Sequence, residues 1–211
     1  MEKAELENII LGFRAAIESA ENYRLIHKFY CDHREEYQAK YRIAPGFIQY
    51  TNRALNHGIM IELCRIYDKN SSSFSIFTLR DTCIKNEKLF AKYVKGDSCL
   101  EYNLKAVCKD FSESCKSSEK ALDNIYMQRK KIWAHNDIAY VKDPTLAEIE
   151  FKVSWEEIET IINFTRDFLI KLEQGLSGRC ATRRFADGLD VEKLFLAIND
   201  NLLSSQDEYI D

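Results

Sequence analysis

Glycine and proline are scarce in this chain of 211 residues, which has seven glycines and two prolines, Pro45 and Pro144. Because both residue types interrupt regular structure, their scarcity favours long helices over short strands. No apolar run approaches the roughly 18 residues that a membrane-spanning helix requires. The charged N-terminus also lacks the basic-then-apolar pattern of a secretion signal. We therefore expect a cytoplasmic protein without a membrane partner.

Several signatures of metal and cofactor chemistry are missing. The seven cysteines include no Cys-x-x-Cys pair, so buried free thiols are a better interpretation than disulfides or zinc ligands. A glycine-rich phosphate loop, a Gly-x-Ser-x-Gly elbow and a His-Glu-x-x-His motif are absent as well. We therefore expect no metal and no cofactor. The net charge of −4 argues against a broad basic surface and a DNA partner, although it permits a local basic cleft.

The spacing of apolar residues predicts an all-α protein, a bundle of about four long amphipathic helices with additional short ones. Apolar side chains recur at intervals of three and four, the helical period. Ser154 and Glu157 have the spacing of a capping box, which predicts the start of the last long helix. We expect a bundle over residues 1–175 and a C-terminal helical appendage with an acidic tail over 176–211. The expected long helices lie at about 4–42, 45–67, 100 to the mid-130s and 154–175, the short ones at 75–79, 86–94 and 190–203, and an extended segment at 148–153.

The four histidines are the candidates for proton transfer at neutral pH. His27, His33 and His57 lie within long predicted helices, and we interpret them as surface or packed side chains. His135 differs because it follows a cation-rich stretch and precedes Asn-Asp, in the segment Arg129-Lys-Lys-Ile-Trp-Ala-His135-Asn-Asp. A titratable imidazole therefore lies near basic residues at a predicted helix end.

This segment resembles the Arg-x(4–6)-His motif of the HEPN superfamily, all-helical proteins that include many metal-independent ribonucleases. A second block is similar to the abortive-infection (AbiU-type) branch of that superfamily. It consists of Cys64-Arg65-Ile66-Tyr67-Asp68, a polar loop and then Phe74-Ser75-Ile76-Phe77-Thr78-Leu79. Both blocks occur in the order typical of the branch, and the likeness in helix layout covers about residues 5 to 175.

The resemblance implies a ribonuclease site and assigns its residues. Histidine suits the proton transfers of RNA cleavage, and arginine suits the phosphate because its planar fork donates two charge-assisted hydrogen bonds. The expected catalytic residues are Arg129 and His135. The residues expected to support or orient them are Asn136, Asp137, Arg65 and Asp68, and those expected to attract the RNA backbone are Lys130 and Lys131.

The spacing of the motif also bears on assembly. Residues six apart in a regular helix are separated by about 9 Å along the axis and about 120° around it. Arg129 and His135 therefore diverge unless the helix breaks, or unless two copies meet across a two-fold axis and each supplies half of the cleft. Because HEPN nucleases use paired domains, the resemblance implies a homodimer.

Two functions remain open at this point. The first is a metal-independent endoribonuclease that acts in phage defence or as a toxin, with RNA as substrate and an antitoxin or defence protein as partner. The second is a catalytically silent HEPN bundle that binds a nucleotide or a protein. The net acidity favours the catalytically silent bundle. So does Lys130, because many catalytic members carry Asn, Asp or His at that position. Asp137 replaces a tyrosine typical of members that a paired nucleotidyltransferase modifies. The intact pair of Arg129 and His135 favours the enzyme.

Overall fold

The computed structural model describes residues 1–36, 38, 42, 44–70, 73–94, 100–133, 142, 143, 145–178 and 193. Within these ranges the chain is almost entirely helical, which confirms the predicted all-α class. A 3-10 turn at Glu87–Leu89, a π-helical turn at Arg129–Trp133 and the antiparallel strands β1 (Tyr93–Val94) and β2 (Leu100–Glu101) are short additions. The α-helices are α1 (Lys3–Asp32), α2 (Pro45–Ile66), α3 (Ile76–Lys85), α4 (Leu104–Ser117), α5 (Glu119–Gln128), α6 (Thr145–Glu150) and α7 (Trp155–Ser177).

The contacts of the chain define two compact units. The first comprises Met1–Glu21 with Met60–Thr182, and the second comprises Asn22–Ile59 with Arg183–Asp211. Helices α1 and α2 each contribute residues to both units. The expected division into a bundle over 1–175 and an appendage over 176–211 stays a prediction. Within the described ranges, every helix is too short or too polar to cross a lipid bilayer.

Helix α7 forms the centre of the first unit. Its buried side chains recur at the helical period, so one continuous stripe faces the core. Helix α4 packs on this stripe through Phe111, whose ring stacks on Phe168 with centroids 4.0 Å apart and meets Phe164 edge-on. The N-terminal half of α1 joins the same core. The buried α7 residues are Ile158, Ile161, Ile162, Thr165, Phe168, Leu169, Ile170, Leu172, Gly175 and Leu176.

Ion pairs hold α1 along the edge of α7 within the first unit. Arg14 pairs with both Glu18 and Glu173, and Arg166 pairs with Glu21. The two guanidinium groups are largely buried, and each is bonded to a carboxylate of the other helix. A buried arginine is tolerated only when its charge is paired in this way. These pairs therefore add to the apolar contacts that hold α1 in the core, such as those of Leu6, Ile10 and Ile17.

Side chains cap the first turns of three helices. The capping box of α7 is confirmed, because the Ser154 hydroxyl accepts the Glu157 N–H at 3.2 Å and the Glu157 carboxylate accepts the Ser154 N–H at 2.7 Å. Ser75 caps α3 by accepting the N–H of Thr78 at 3.5 Å. Asn103 caps α4 by accepting the N–H of Ala106 at 3.0 Å. Helix α7 ends at Ser177 and is capped by Gly178, whose φ of 67° is a left-handed conformation that suits glycine.

Two of the expected long helices are shorter than the apolar period suggests. Helix α1 ends at Asp32 and gives way to a turn at 33–36, in which the His33 ring bonds Glu36 at 2.8 Å. The helix expected from about 100 begins at Leu104, because residues 100–101 pair as β2. It is also interrupted at Ser118, whose N–H turns to the carbonyls of the preceding turn. An apolar stripe can continue through such a break, so periodicity does not reveal it.

The short elements were predicted less well. The helix expected over 75–79 extends to Lys85, because Leu79 and Cys83 bury one more turn. The helix expected over 86–94 is wrong, since only Glu87–Leu89 form a 3-10 turn and β1 follows. The extended segment expected at 148–153 is wrong over 148–150, which belong to α6. Pro144 and the helix expected over 190–203, apart from residue 193, lie outside the described residues.

Gly175 provides a test of this packing. Its carbonyl accepts the N–H of Ala91 at 2.7 Å, and a Cβ added there would lie 2.1 Å from the ring of Tyr102. That ring is itself stacked on Phe90. We expect Gly175→Ala to lower the free energy of unfolding by about 1–3 kcal/mol, the usual cost of overpacking. Urea unfolding followed by far-ultraviolet circular dichroism measures the change.

Gly12→Ala is the matched control, because a Cβ at Gly12 in α1 would meet nothing within 4 Å. Replacing glycine by alanine in an open helix position should raise the free energy of unfolding by about 0.5–1 kcal/mol. A Gly175→Ala protein as stable as the Gly12→Ala protein would show that α7 does not approach Tyr102 closely.

Candidate functional site

Arg129 begins the π-helical turn that follows α5. The buried residues Ala121, Leu122 and Ile125 hold α5 against the core of the first unit. At Arg129 the helix widens, a local change that occurs often at functional sites. The Arg129 side chain is 41% exposed. A rigid helix thus presents this guanidinium group to solvent at the point where its own geometry changes.

Asp68, just after the end of α2, faces Arg129 across the unit. One of its carboxylate oxygens lies 3.7 Å from an Arg129 nitrogen, and only 17% of the Asp68 side chain is exposed. The carboxylate also accepts the N–H of Asn70 at 3.0 Å and the hydroxyl of Ser73 at 2.9 Å. The Asn70 N–H holds the pKa of Asp68 below its ordinary value, with smaller contributions from Ser73 and Arg129. Asp68 is therefore a fixed negative charge beside Arg129.

Arg65 takes a different partner from the one that its spacing suggested. The interval of three residues between Arg65 and Asp68 would place them on one helical face. Helix α2 ends at Ile66, however, so Asp68 has left the helix. Arg65 instead lies 3.3 Å from Glu62 on its own helix and is 61% exposed. The structure brings Asp68 to Arg129 and leaves Arg65 outside this pair, so its orienting role stays a prediction.

Cys64 belongs to the same cluster, although sequence analysis treated it only as a buried thiol. Its thiol donates to the carbonyl of Ile125 at 3.5 Å and so joins the last turn of α2 to α5. Burial raises the pKa of Cys64 to about 12, against the opposing charge of Arg129. The thiol is therefore protonated at neutral pH and acts in packing. The sequence could have indicated this role of Cys64, because the residue lies about one helical turn before Asp68.

Tyr67 anchors the end of α2 in the core. Its hydroxyl shares a hydrogen bond with Thr165, whose own hydroxyl donates to the Ile161 carbonyl at 2.5 Å. The Tyr67 ring also meets Phe77 of α3 edge-on, with centroids 5.8 Å apart. Burial raises the pKa of Tyr67 well above its ordinary value, so the phenol stays protonated. Since Asp68 is the next residue, this anchor fixes the position of its carboxylate.

Two amides of α5 hold the chain beyond α6 next to the site. Asn124 donates to the carbonyl of Lys152 at 2.9 Å, and Gln128 donates to the carbonyl of Phe151 at 2.6 Å. Both interactions supply hydrogen bonds to carbonyls of a non-helical stretch. Neither amide was identified from the sequence, because a side chain that bonds a distant backbone leaves no periodic signal. The residues from 151 onward are thereby fixed beside Arg129.

The remaining predicted site residues are divided between described and undescribed parts of the chain. Lys130 and Lys131 follow Arg129 in the π-helical turn, and the Lys130 side chain is exposed. His135, Asn136 and Asp137 lie outside the described residues. Their proposed roles therefore stay predictions.

The other histidines form local contacts within the second unit. Burial lowers the pKa of His27, whose ring lies 3.6 Å from the Cys31 sulfur. The His33 ring contacts Phe29 in a tilted arrangement, with centroids 4.5 Å apart. Burial, with the nearby charge of Arg53, lowers the pKa of His57. In the described part of the chain, no three side chains among His, Cys, Asp and Glu are grouped so that they could hold a metal ion.

A comparison with protein families identifies the family of the chain. The family model described as AbiU2, a HEPN model, matches residues 3–194. The chain belongs to the HEPN family of AbiU2 proteins. This AbiU2 chain is thus a HEPN domain associated with abortive infection. No curated protein and no solved structure matches it.

Asp68 gives the first test of the AbiU2 site. Asp68→Ala removes the acceptor of Asn70 and Ser73, and we expect the free energy of unfolding to fall by about 1–2 kcal/mol. A second variant, Asp68→Asn, removes the charge of the side chain. Because the folded-state pKa of Asp68 is lowered, the parent should have a higher free energy of unfolding than Asp68→Asn above the ordinary pKa of 3.8. This difference should be lost as pH falls through the lowered pKa. Urea unfolding at several pH values measures both effects.

Arg65→Ala is the matched control for this measurement. Arg65 is 61% exposed, although its partner Glu62 is only 18% exposed, and an ion pair of an exposed side chain contributes about 0–1 kcal/mol. Equal losses from Asp68→Ala and Arg65→Ala would show that Asp68 does not organise the end of α2.

Proposed function

We propose that this AbiU2 protein is a metal-independent endoribonuclease in which Arg129 and His135, from two copies of the chain, form one cleft. The observation that supports it most is the exposed Arg129 at a π-helical turn, held by the charged Asp68. His135 follows six residues later. An oriented cation near an imidazole is the combination that RNA cleavage without a metal requires.

Each residue has a definite task in this reaction. His135 removes the proton of the ribose 2′-hydroxyl or delivers one to the leaving 5′-oxygen, because an imidazole with a pKa near 6.5 exists in both forms at neutral pH. Arg129 binds the phosphate and stabilises the charge that develops on it. The products are a 2′,3′-cyclic phosphate and a 5′-hydroxyl. We propose that Asn136 and Asp137 orient the imidazole.

Asp68 supports Arg129 without consuming its hydrogen bonds. A charge-assisted hydrogen bond between nitrogen and oxygen measures about 2.7–2.9 Å, whereas these two groups are 3.7 Å apart. The carboxylate spends its short contacts on Asn70 and Ser73. The guanidinium group is thus attracted toward Asp68 and keeps donors for a substrate phosphate. In this proposal Asp68 is a positioning residue.

The lysines of the turn extend the basic surface. Lys130 is exposed and forms no ion pair within the described ranges. Together with Lys131 it would attract the RNA backbone, and such contacts weaken as salt rises. A local cluster of this kind is compatible with a net charge of −4, because net charge does not describe how charges are distributed over the surface.

The association of the family with abortive infection suggests where the activity is used. We propose a role in phage defence or as a toxin, controlled by an antitoxin or another defence protein. The alternative is a catalytically silent HEPN domain that binds a nucleotide or a protein, which Lys130 and the net acidity favour. Cleavage of RNA by the purified protein distinguishes the two.

The test is cleavage of an end-labelled single-stranded RNA. The parent protein should cut it in the presence of EDTA and leave 2′,3′-cyclic phosphate ends. Arg129→Ala and His135→Ala should each lower the rate by at least about 100-fold, the scale of lost acid–base catalysis. Lys131→Ala should mainly weaken binding in a salt-dependent way. His33→Ala is the control for His135→Ala and should cleave like the parent.

Two results would contradict the proposal. Activity that EDTA abolishes and magnesium restores would indicate a different chemistry. A folded His135→Ala protein that cleaves as fast as the parent would show that the imidazole is not catalytic, and a parent without any cleavage would favour the silent domain.

A further inference from the structure

A half-open cleft of about 190 Å³ lies in the first unit, next to the Asp68 and Arg129 pair. Its walls come from the end of α2, from α3 and from the junction of α4 and α5. Lys69, which lines it, directly follows Asp68 in the chain. The cleft is smaller than the roughly 300–1,000 Å³ of pockets for drug-sized ligands. It therefore suits a single ring system.

The floor of the cleft is apolar and aromatic. Tyr67 and Phe77 form an edge-on pair, and Leu122 and Cys115 complete the surface. Burial raises the pKa of Cys115 to about 12, so its thiol is uncharged at neutral pH. The Tyr67 hydroxyl is already bonded to Thr165. The floor thus offers a neutral surface for a flat ring and little competing hydrogen bonding.

The mouth of the cleft carries four charges, of which two neutralise each other. Lys69 is paired with Asp123. Lys116 and Glu119 line the same mouth, and neither forms an ion pair with another described residue. They lie at the end of α4 and the start of α5, on either side of the break at Ser118. A ligand entering the cleft therefore meets one available cation and one available carboxylate.

We propose that this cleft receives one base of a single-stranded RNA substrate, a base that carries an amino group. The base lies on the aromatic floor, Glu119 accepts a hydrogen bond from the exocyclic amino group, and Lys116 contacts a phosphate. Carboxylates read the cytosine amino group in this way, and proteins recognise single-stranded RNA by combining aromatic contacts with base-edge hydrogen bonds. Uracil has no amino group and is disfavoured. The inference rests on the proposed ribonuclease function.

The distance to Arg129 places this base near the cut. Asp123 and Arg129 are six residues apart on α5 and its π-helical extension. Six residues of helix separate two positions by about 9 Å along the axis and about 120° around it. Both positions nevertheless border the end of α2, because the adjacent residues Asp68 and Lys69 pair with Arg129 and Asp123. A separation of about 9 Å is the length of two to three stacked nucleotides at about 3.4 Å each. The cleft therefore selects a base within about three nucleotides of the phosphate that Arg129 holds.

A binding experiment that needs no cleavage tests the base selection. Calorimetric titration of the full chain with cytidine 5′-monophosphate and uridine 5′-monophosphate should give at least about tenfold tighter binding of the cytidine nucleotide. Glu119→Gln should reduce this ratio below about threefold. Lys116→Ala should weaken both nucleotides equally. Glu113→Gln, an exposed residue of α4 that pairs with Lys109, is the control and should keep the parent ratio.

Sequencing the fragments of a random RNA pool is the second measurement. The parent should exclude uracil at one position within three nucleotides of the cut, and Glu119→Gln should lose that exclusion. Cleavage without base preference, together with equal binding of both nucleotides, would refute base recognition by the cleft. The proposed ribonuclease activity would then still hold. Selective binding of the cytidine nucleotide without any cleavage would support the cleft and refute the ribonuclease. Free leucine binding as tightly as the nucleotide would overturn the inference in favour of an amino-acid site.

Discussion

The ion pair between Asp68 and Arg129 joins the end of α2 to the turn at which α5 changes its helical geometry. Both partners are partly exposed, so the pair itself contributes only about 0–1 kcal/mol to stability. Its importance is positional, because Asp68 is fixed by hydrogen bonds from Asn70 and Ser73 and by the anchored neighbour Tyr67. The core of the first unit thereby determines where a charged, solvent-facing guanidinium group lies. The candidate site and the adjoining cleft both depend on that placement.

The apolar period of the sequence was sufficient to predict the helical class and most long helices. The period identifies the buried stripe of α7, and the capping pair Ser154 and Glu157 identifies where that helix begins. Breaks were not predictable in the same way. The interruption at Ser118 leaves the apolar stripe intact, because Cys115 before it and Ala121 and Leu122 after it are all buried. The stripe likewise gives no sign of the widening at Arg129. Local backbone geometry there depends on tertiary packing.

The site was predictable as far as residue types indicate chemistry. Arg129 and Asp68 were selected from two separate blocks of sequence, and the structure brings them together. The bond from Cys64 to the Ile125 carbonyl and the amide contacts of Asn124 and Gln128 were not predictable. Each depends on how two segments meet in space. The cleft beside Lys69 is a further example, since its walls come from four helices.

The claim that one cleft takes Arg129 from one copy and His135 from another can be tested with mixed dimers. Arg129→Ala and His135→Ala proteins carrying different tags are co-expressed, and dimers that hold one of each are purified. If the cleft is composite, each mixed dimer contains one intact cleft and one that lacks both residues. We predict about half of the parent's RNA cleavage per dimer, while each variant alone stays inactive. Mixed dimers as inactive as the separate variants would show that each copy builds its own site.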